Sequence, residues 1–298
     1  MKKFILIFLG ILVFLVAAAV AIPFLFKDKI IARVNQELDQ ALNAKIYYNP
    51  DQVSLSFFRS FPSISAGLGD FGIVGIEPFE NDTLVHADEL ALDFNLKSVL
   101  FDDYPTLTGL RVNGGDLYIK VLEDGQANYD IVKDTPSTEP VAESNFQMGI
   151  DLIELSKINL IYDDRSLQFI MALADIEAKG SGEFTSDVYD LPLQLTANIA
   201  DVNYEGIHYL TDKKFTGKTL LQVDMEQMKF TLGEGEFALN DFLFDLSGTI
   251  GLPEDGIALD LTFGSKASDF KNILSLVPGM YTESFSSVKA DGSLSFAG

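Results

Sequence analysis

Cysteine and tryptophan are both absent from the 298 residues, and histidine occurs only twice. Without cysteine there is no disulfide scaffold, no Cys-ligated zinc, no iron–sulfur cluster and no thiol nucleophile. His86 and His208 stand far apart in strand-like surroundings, which suits surface or pocket-edge imidazoles. Basic residues are scarce as well: 21 Lys and Arg face 44 Asp and Glu, a formal net charge of −23. A surface of that sign repels phosphate backbones and argues against nucleic-acid binding. H-E-x-x-H, G-x-x-x-x-G-K-[ST] and G-x-S-x-G are all missing.

What remains of chemistry is thin. Gly67-Leu68-Gly69-Asp70-Phe71-Gly72 is a literal G-x-G-x-x-G, but it runs on into IVGIEPFE, of strand composition, where a dinucleotide fingerprint needs a helix. Those glycines are expected to permit a bulge or the close pass of another strand. Asp102-Asp103 and Asp163-Asp164 are adjacent pairs whose members point to opposite faces of a strand. Asp124, Asn128 and Asp130 resemble a calcium loop, but glycine follows the first Asp directly, the wrong order for an EF-hand. The expectation is a protein without catalysis, metal or cofactor.

Apolar residues, by contrast, make up 47% of the chain. Residues 4–26, FILIFLGILVFLVAAAVAIPFLF, carry no charge; as a helix these 23 positions span roughly 34 Å, enough for a membrane anchor from Phe4 to Phe26. Ala19-Val20-Ala21 leaves a cleavable signal peptide as the alternative, against which stand the length of the run and its continuation as IPFLF. Residues 27–45 place Ile31, Val34, Leu38, Ala41 and Leu42 at helical spacing, an amphipathic helix. Lys27, Lys29 and Arg33 there can hold anionic headgroups, at about 1 kcal/mol each.

Beyond residue 45 the period is two. Leu90, Leu92, Phe94 and Leu96 share one face against Ala91, Asp93 and Asn95; Leu117, Ile119 and Val121 repeat the pattern. So do Leu191 to Ile199, Phe242 with Phe244 and Leu246, and Ile257 with Leu259, Leu261 and Phe263. These are half-buried antiparallel strands, roughly fifteen to twenty of them. EDGQ at 123–126, LGEGE at 232–236 and PEDG at 253–256 read as turns. Phase slips near Gln227 and between Leu239 and Phe242 read as bulges that bend the sheet. SDFKNILSLV gives one short helix near 268–278, capped by Ser268 and stopped by Pro278. The fold class is mainly β: a long, bent, mostly antiparallel sheet, divided at the Pro/Ser/Thr/Glu-rich loop 133–145 into parts 46–132 and 146–298. DGSLSFAG ends mid-strand by pattern, so the natural chain is expected to continue past Gly298.

Several segments together resemble the AsmA family: SLSFFRSFPSIS at 54–65, DTLVHADELALDFNLKSVL at 82–100 and GLRVNGGDLYIKVLEDGQANYDIVK at 109–133. INLIYDDRS at 158–166 and SDFKNILSLVPGMY at 268–281 extend the likeness over essentially the whole chain. The family's DG-x-x-N-aromatic-D pattern is present as Asp124, Gly125, Asn128, Tyr129 and Asp130, with Tyr129 where Trp is usual.

The resemblance implies a single-pass bacterial inner-membrane protein whose bulk lies in the periplasm, with a role in outer-membrane assembly and lipid homeostasis. Flanking charge leaves the orientation open; the lack of cysteine and the envelope character of the body favour a cytoplasmic N-terminus. The family is similar in architecture to bridge-like lipid-transfer proteins built of β-grooves, which makes phospholipid the expected partner. Leu92, Phe94, Leu117, Ile119, Phe242, Phe244, Leu261 and Phe263 are the candidate lipid contacts. The same faces can instead close on each other as a sandwich core; periodicity alone puts that core first, and the resemblance reverses the order. A non-catalytic scaffold is the other functional reading. It would bind envelope proteins through strand edges or an acidic face with wet positions such as Asp93 and Gln194.

Overall fold

The computed structural model describes residues 42–56, 63–102, 105–131, 133, 147–182, 187–251, 258–269 and 292–298, with Ala32, Gln36, Asn272, Leu276 and Val277. The expected anchor with Phe4 and Phe26, nearly all of the 133–145 loop and the PEDG turn lie outside the described residues. So does most of the amphipathic helix, of which Ala32 and Gln36 are helical and exposed. Among the described residues no helix is long and apolar enough to cross a membrane.

Alternation dictates strands, and the strands form one sheet. In chain order they are β1 (Lys45–Ser56), β2 (Ser63–Val74), β3 (Thr83–Asn95), β4 (Thr106–Val121), β5 (Gln147–Asp164), β6 (Phe169–Ser181) and β7 (Val188–Tyr204). β8 (Ile207–Asp224), β9 (Lys229–Leu232), β10 (Glu236–Leu239), β11 (Phe242–Gly251), β12 (Ala258–Asp269) and β13 (Ser293–Ala297) follow. Each strand lies beside the next from β1 to β8; β9 and β10 then lie end to end between β8 and β11, with β12 and β13 beyond. Thirteen strands are described rather than fifteen to twenty because single strands run to 16 and 18 residues. β4 and β5 pair in parallel, and every other pairing is antiparallel. The long connection 122–146 makes that possible by carrying the chain back to its starting end. The sheet is therefore continuous across the two β parts.

Leu96 does not continue the β3 face. Asn95 caps a short helix, α1 (Leu96–Phe101), its side chain accepting from the Ser98 amide at 3.2 Å. The Ser98 hydroxyl in turn accepts from the Thr106 amide at 2.8 Å, tying α1 to the start of β4.

Bending comes from the middles of the strands. Asp70, Gly114, Lys157 and Asp175 have φ of 51°, 65°, 54° and 49°. By register, Asp70, Asp88, Gly114 and Lys157 fall in one row across β2 to β5, with Asp175 beside it on β6. At this row the apolar face advances by three residues instead of two: Leu68 to Phe71, Ala87 to Leu90, Val112 to Gly115, Leu155 to Ile158, Leu173 to Ile176. Such irregularities kink a strand and raise its twist. Aligned in neighbours, they crease the sheet. Side chains on the outer face satisfy the displaced amides. Glu177 accepts from the Lys157 amide at 3.1 Å, and Asn159 accepts from the Asp175 amide at 3.3 Å.

Two expected bulges are turns instead. Gln227 lies in the β8–β9 turn, its amide bonded to the Asp224 carboxylate at 2.8 Å, and Asn240-Asp241 join β10 to β11 through the pair Leu239–Phe242. LGEGE is the reverse case, an irregularity rather than a hairpin turn, because β9 and β10 both run antiparallel to β8 on the same side of it. Hydrophobic phase records that a strand is interrupted but not whether the chain continues or reverses. Ser268 is no helix cap: β12 runs to Asp269, and Ser268 pairs with Leu294. Asp93 is not a wet position either. It is 3% exposed, paired with Arg111, whose Nε also reaches Glu154 at 3.3 Å. Gln194 is exposed as expected.

Gly115 sits at the crease with φ 146°, where a Cβ would collide with the His86 carbonyl and the Ala87 Cα. Gly125 also has positive φ, at 85°, but open space around it. Gly115→Ala is expected to destabilise the full-length protein by about 2–4 kcal/mol and Gly125→Ala by about 1 kcal/mol. Denaturation midpoints of the two variants, measured side by side, check the ordering.

Candidate functional site

The apolar residues of successive strands meet in unbroken rows. One runs Leu68–Leu90–Val112–Leu155–Ala178–Leu195–Gly217–Phe237–Phe244, each paired in register with the next. It crosses nine strands, a length of about 38 Å at about 4.8 Å per strand. The neighbouring row, at the crease, is buried as well: Ala87 is 0%, Ala197 4%, Ile158 6% and Ile176 6% exposed. Away from the crease most of these side chains are half-exposed. Among the described residues no second sheet lies against this face. A sandwich core would bury the walls as fully as the floor, so the arrangement is a creased trough with an apolar inner face.

The floor changes character along its length. Near β1 to β4 it is packed: Phe94 and Ala66 are covered by Leu55, Leu92, Leu107 and, from α1, Val99. Toward β8 to β11 it is aromatic. Phe237 stacks on Phe244 with centroids 5.6 Å apart, Phe244 on Phe242 at 5.9 Å, and Phe215 lies 6.3 Å from Phe237.

The eight candidate contacts therefore separate. Leu92, Leu117, Ile119, Phe244 and Leu261 are half-buried on the inner face, and Phe263, opposite Leu246, is exposed. Phe94 at 1% and Phe242 at 7% exposure are core residues closed off by their own chain, so the lipid-contact reading does not hold for them. Period two assigns a face but is blind to what folds over it, which for Phe94 includes Val99 of the helix that Asn95 caps.

The DG-x-x-N-aromatic-D segment is structural in its geometry. Asp124 accepts from the Gln126 amide at 3.1 Å, and Gly125 turns the chain. Asn128, 1% exposed, accepts from the Lys120 amide at 2.9 Å and donates to the Tyr118 carbonyl at 2.6 Å. β4 extends past its β3 pairing at Leu117, and Asn128 helps to replace the missing strand, its own backbone amide also donating to the Lys120 carbonyl at 3.0 Å. Both of its ends are used, which removes it from any calcium loop. Tyr129 and Asp130 are exposed.

Other sequence candidates stay apart. His86 pairs with Asp70 at 3.2 Å on β3, and His208 with Asp201 at 2.7 Å on β8, with four strands between them. The G-x-G-x-x-G glycines lie against β1: a Cβ at Gly67, Gly69 or Gly72 would run into Ser54, Gln52 or Tyr47. Among the described residues no group of three His, Cys, Asp or Glu is placed to hold a metal ion.

Asp163 and Asp164 do face opposite ways. Asp163 accepts from the Tyr118 hydroxyl at 3.3 Å, while Asp164, nearly buried, closes the β5–β6 turn. Burial alone would push the Asp164 carboxyl up, but bonds from the Ser166 hydroxyl, the Leu167 amide and the Tyr162 hydroxyl outweigh it and hold it below the ordinary value. Burial, then the bond to Asp164, push the Tyr162 phenol up to about 12.

Two outcomes follow from these contacts. Asn128→Ala orphans a backbone donor and acceptor and is expected to lower stability by about 2–4 kcal/mol, read from the denaturation midpoint. Tyr162 is favoured as the neutral phenol in the folded state, so its contribution is whole below pH 10 and is lost as pH rises through about 12. Tyr162→Phe is expected to flatten that alkaline fall in stability. Asp164 has the opposite sign: its contribution is present above pH 3.8 and is lost as pH drops through its lowered value, so Asp164→Asn flattens the acid limb.

A bent, mainly antiparallel sheet with an apolar inner face agrees with the fold that the family resemblance implied; the packed end and the pinning by Asn128 come from the structure. No individual curated protein matches the sequence. The profile of the AsmA family matches residues 1–248, through β10 and into β11, and the chain belongs to that family.

Proposed function

We propose that this protein shelters the hydrocarbon tails of phospholipid along the inner face of its trough. It does so as a non-catalytic, inner-membrane-anchored component of the envelope with its body in the periplasm. Membership of the AsmA family supports a part in outer-membrane assembly. The observation that carries the lipid reading is the apolar row from Leu68 to Phe244, buried at Leu68 and Phe237 but half-exposed at its other seven positions, against which no second sheet lies among the described residues. A diacyl lipid has about 30 methylenes, and at about 0.8 kcal/mol each their exposure to water costs about 24 kcal/mol. An apolar face about 38 Å long removes much of that penalty while the outer face stays hydrated. An exposed apolar surface of this extent in a monomer marks a binding site.

Photo-crosslinking from Phe244 and Phe263 in cells tests the reading. Both positions are expected to label phospholipid, and an outer-face position such as Gln194 is not. Labelling of neither Phe position by lipid in a correctly folded protein overturns it.

A further inference from the structure

Among the described residues the register places two charged side chains on the apolar face, Asp164 and Lys213. Asp164 is accounted for by its own turn. Lys213 is not. It pairs with Ile199, itself 8% exposed, and is half-buried where its neighbours Asp212 and Lys214 are exposed. Its place on this face is built in: Asp212 has φ 53°, which resets the phase of β8 so that Leu210, Lys213 and Phe215 share the inner side. No carboxylate among the described residues pairs with it.

In a chain of net charge −23 a lysine finds acidic neighbours almost anywhere on the outer face. Setting one on the apolar wall instead desolvates part of its stem without a counter-ion, an arrangement that becomes favourable when an anion arrives. The position suits an amphiphile. Phe215 is two residues away on the same strand, and the Phe237–Phe244 stack continues from it across β10 and β11. The short hairpin Asn240-Asp241 brings the edge of the sheet close to Lys213, since the Asn240 amide bonds to the Lys214 carbonyl at 2.8 Å. Tails can therefore lie on the aromatic floor while a headgroup stays at the edge.

We propose that Lys213 is the headgroup contact of the trough, pairing with the phosphate of an anionic diacyl lipid whose tails lie along Phe215 and Phe244, over the buried Phe237 ring between them. This rests on the lipid-sheltering reading above. It adds that the site selects for a negative headgroup although the protein as a whole repels one.

Equilibrium binding of the full-length chain in mild detergent, with acyl-labelled phosphatidylglycerol and acyl-labelled diacylglycerol of identical tails, tests it. The wild type is expected to prefer phosphatidylglycerol by about tenfold, equivalent to about 1.4 kcal/mol. Lys213→Gln brings that preference to within about twofold with diacylglycerol binding unchanged, Lys213→Arg keeps it, and Lys214→Gln, one residue away on the outer face, leaves it intact. Inorganic phosphate at matched concentration does not compete, because it brings no tails. Retention of the preference in Lys213→Gln, or equal loss in Lys214→Gln, overturns the assignment. So does loss of both probes in Lys213→Gln, which would make the lysine a fold residue. Equal binding of both probes by the wild type overturns the headgroup contact alone, whereas binding of neither overturns the sheltering reading and this inference with it.

Discussion

A sheet with one apolar face has to bury that face against something, and in this chain the described residues offer no second layer. The sheet uses itself. Left-handed residues near the middles of β2, β4, β5 and β6 crease it along a line perpendicular to the strands, and Phe71, Ala87, Ile158, Ile176 and Ala197 at that line are buried. Everything else follows from that line. The floor is packed by curvature, the walls remain half-open, and strands of up to 18 residues are long enough to supply a wall on each side. A straight sheet of the same composition would expose a flat hydrophobic surface and aggregate.

The crease carries a hydrogen-bonding problem, since each irregularity removes a rung from the ladder. The outer face solves it with short polar side chains. Asp116, Asn159, Asp175 and Asn198 form a chain of contacts at 3.0 to 3.3 Å across β4 to β7, and Glu177 covers the Lys157 amide. Asn128 does the same at the overhanging end of β4. Polar residues on the hydrated face are thus not only solubilising; several replace backbone partners that bending took away. Substitutions there should be felt on the inner face, because losing a side-chain bond lets the bulge relax and shifts the register of the apolar row behind it.

Much of this was legible in the alternation. Leu90 with Leu92, Leu117 with Ile119, and Leu191 to Ile199 all lie on the inner face their period assigned. The family likeness carried by the DG-x-x-N segment agrees with the profile match over residues 1–248. What period two could not distinguish was an interruption within a strand from one between strands. Gln227 and the step from Leu239 to Phe242 break phase as the crease does, yet they are turns. Aspartate gives a partial cue, because its short side chain tolerates the left-handed region at Asp70 and Asp175. Lys157 gives none; only the β4–β5 register, which sets it beside the positive-φ Gly114, shows that it belongs to the crease. Asp93 was illegible for a different reason: its partner Arg111 is 18 positions away and meets it only once β3 and β4 pair.

The charge of the body completes the argument. A protein that keeps an apolar trough partly open in water risks binding its own copies. A formal charge of −23 opposes that encounter at long range, and among the described residues the register puts only Asp164 and Lys213 of the charged side chains on the apolar face. Repulsion acts over about 8–10 Å in physiological salt, whereas hydrophobic contact acts only on touching, so copies are held apart before their faces meet. A lipid tail, having no charge, is not held off. On the proposed lipid-sheltering reading, acidic exterior and apolar interior act together: the first opposes the approach of another copy, and the second offers its surface to an uncharged hydrocarbon guest.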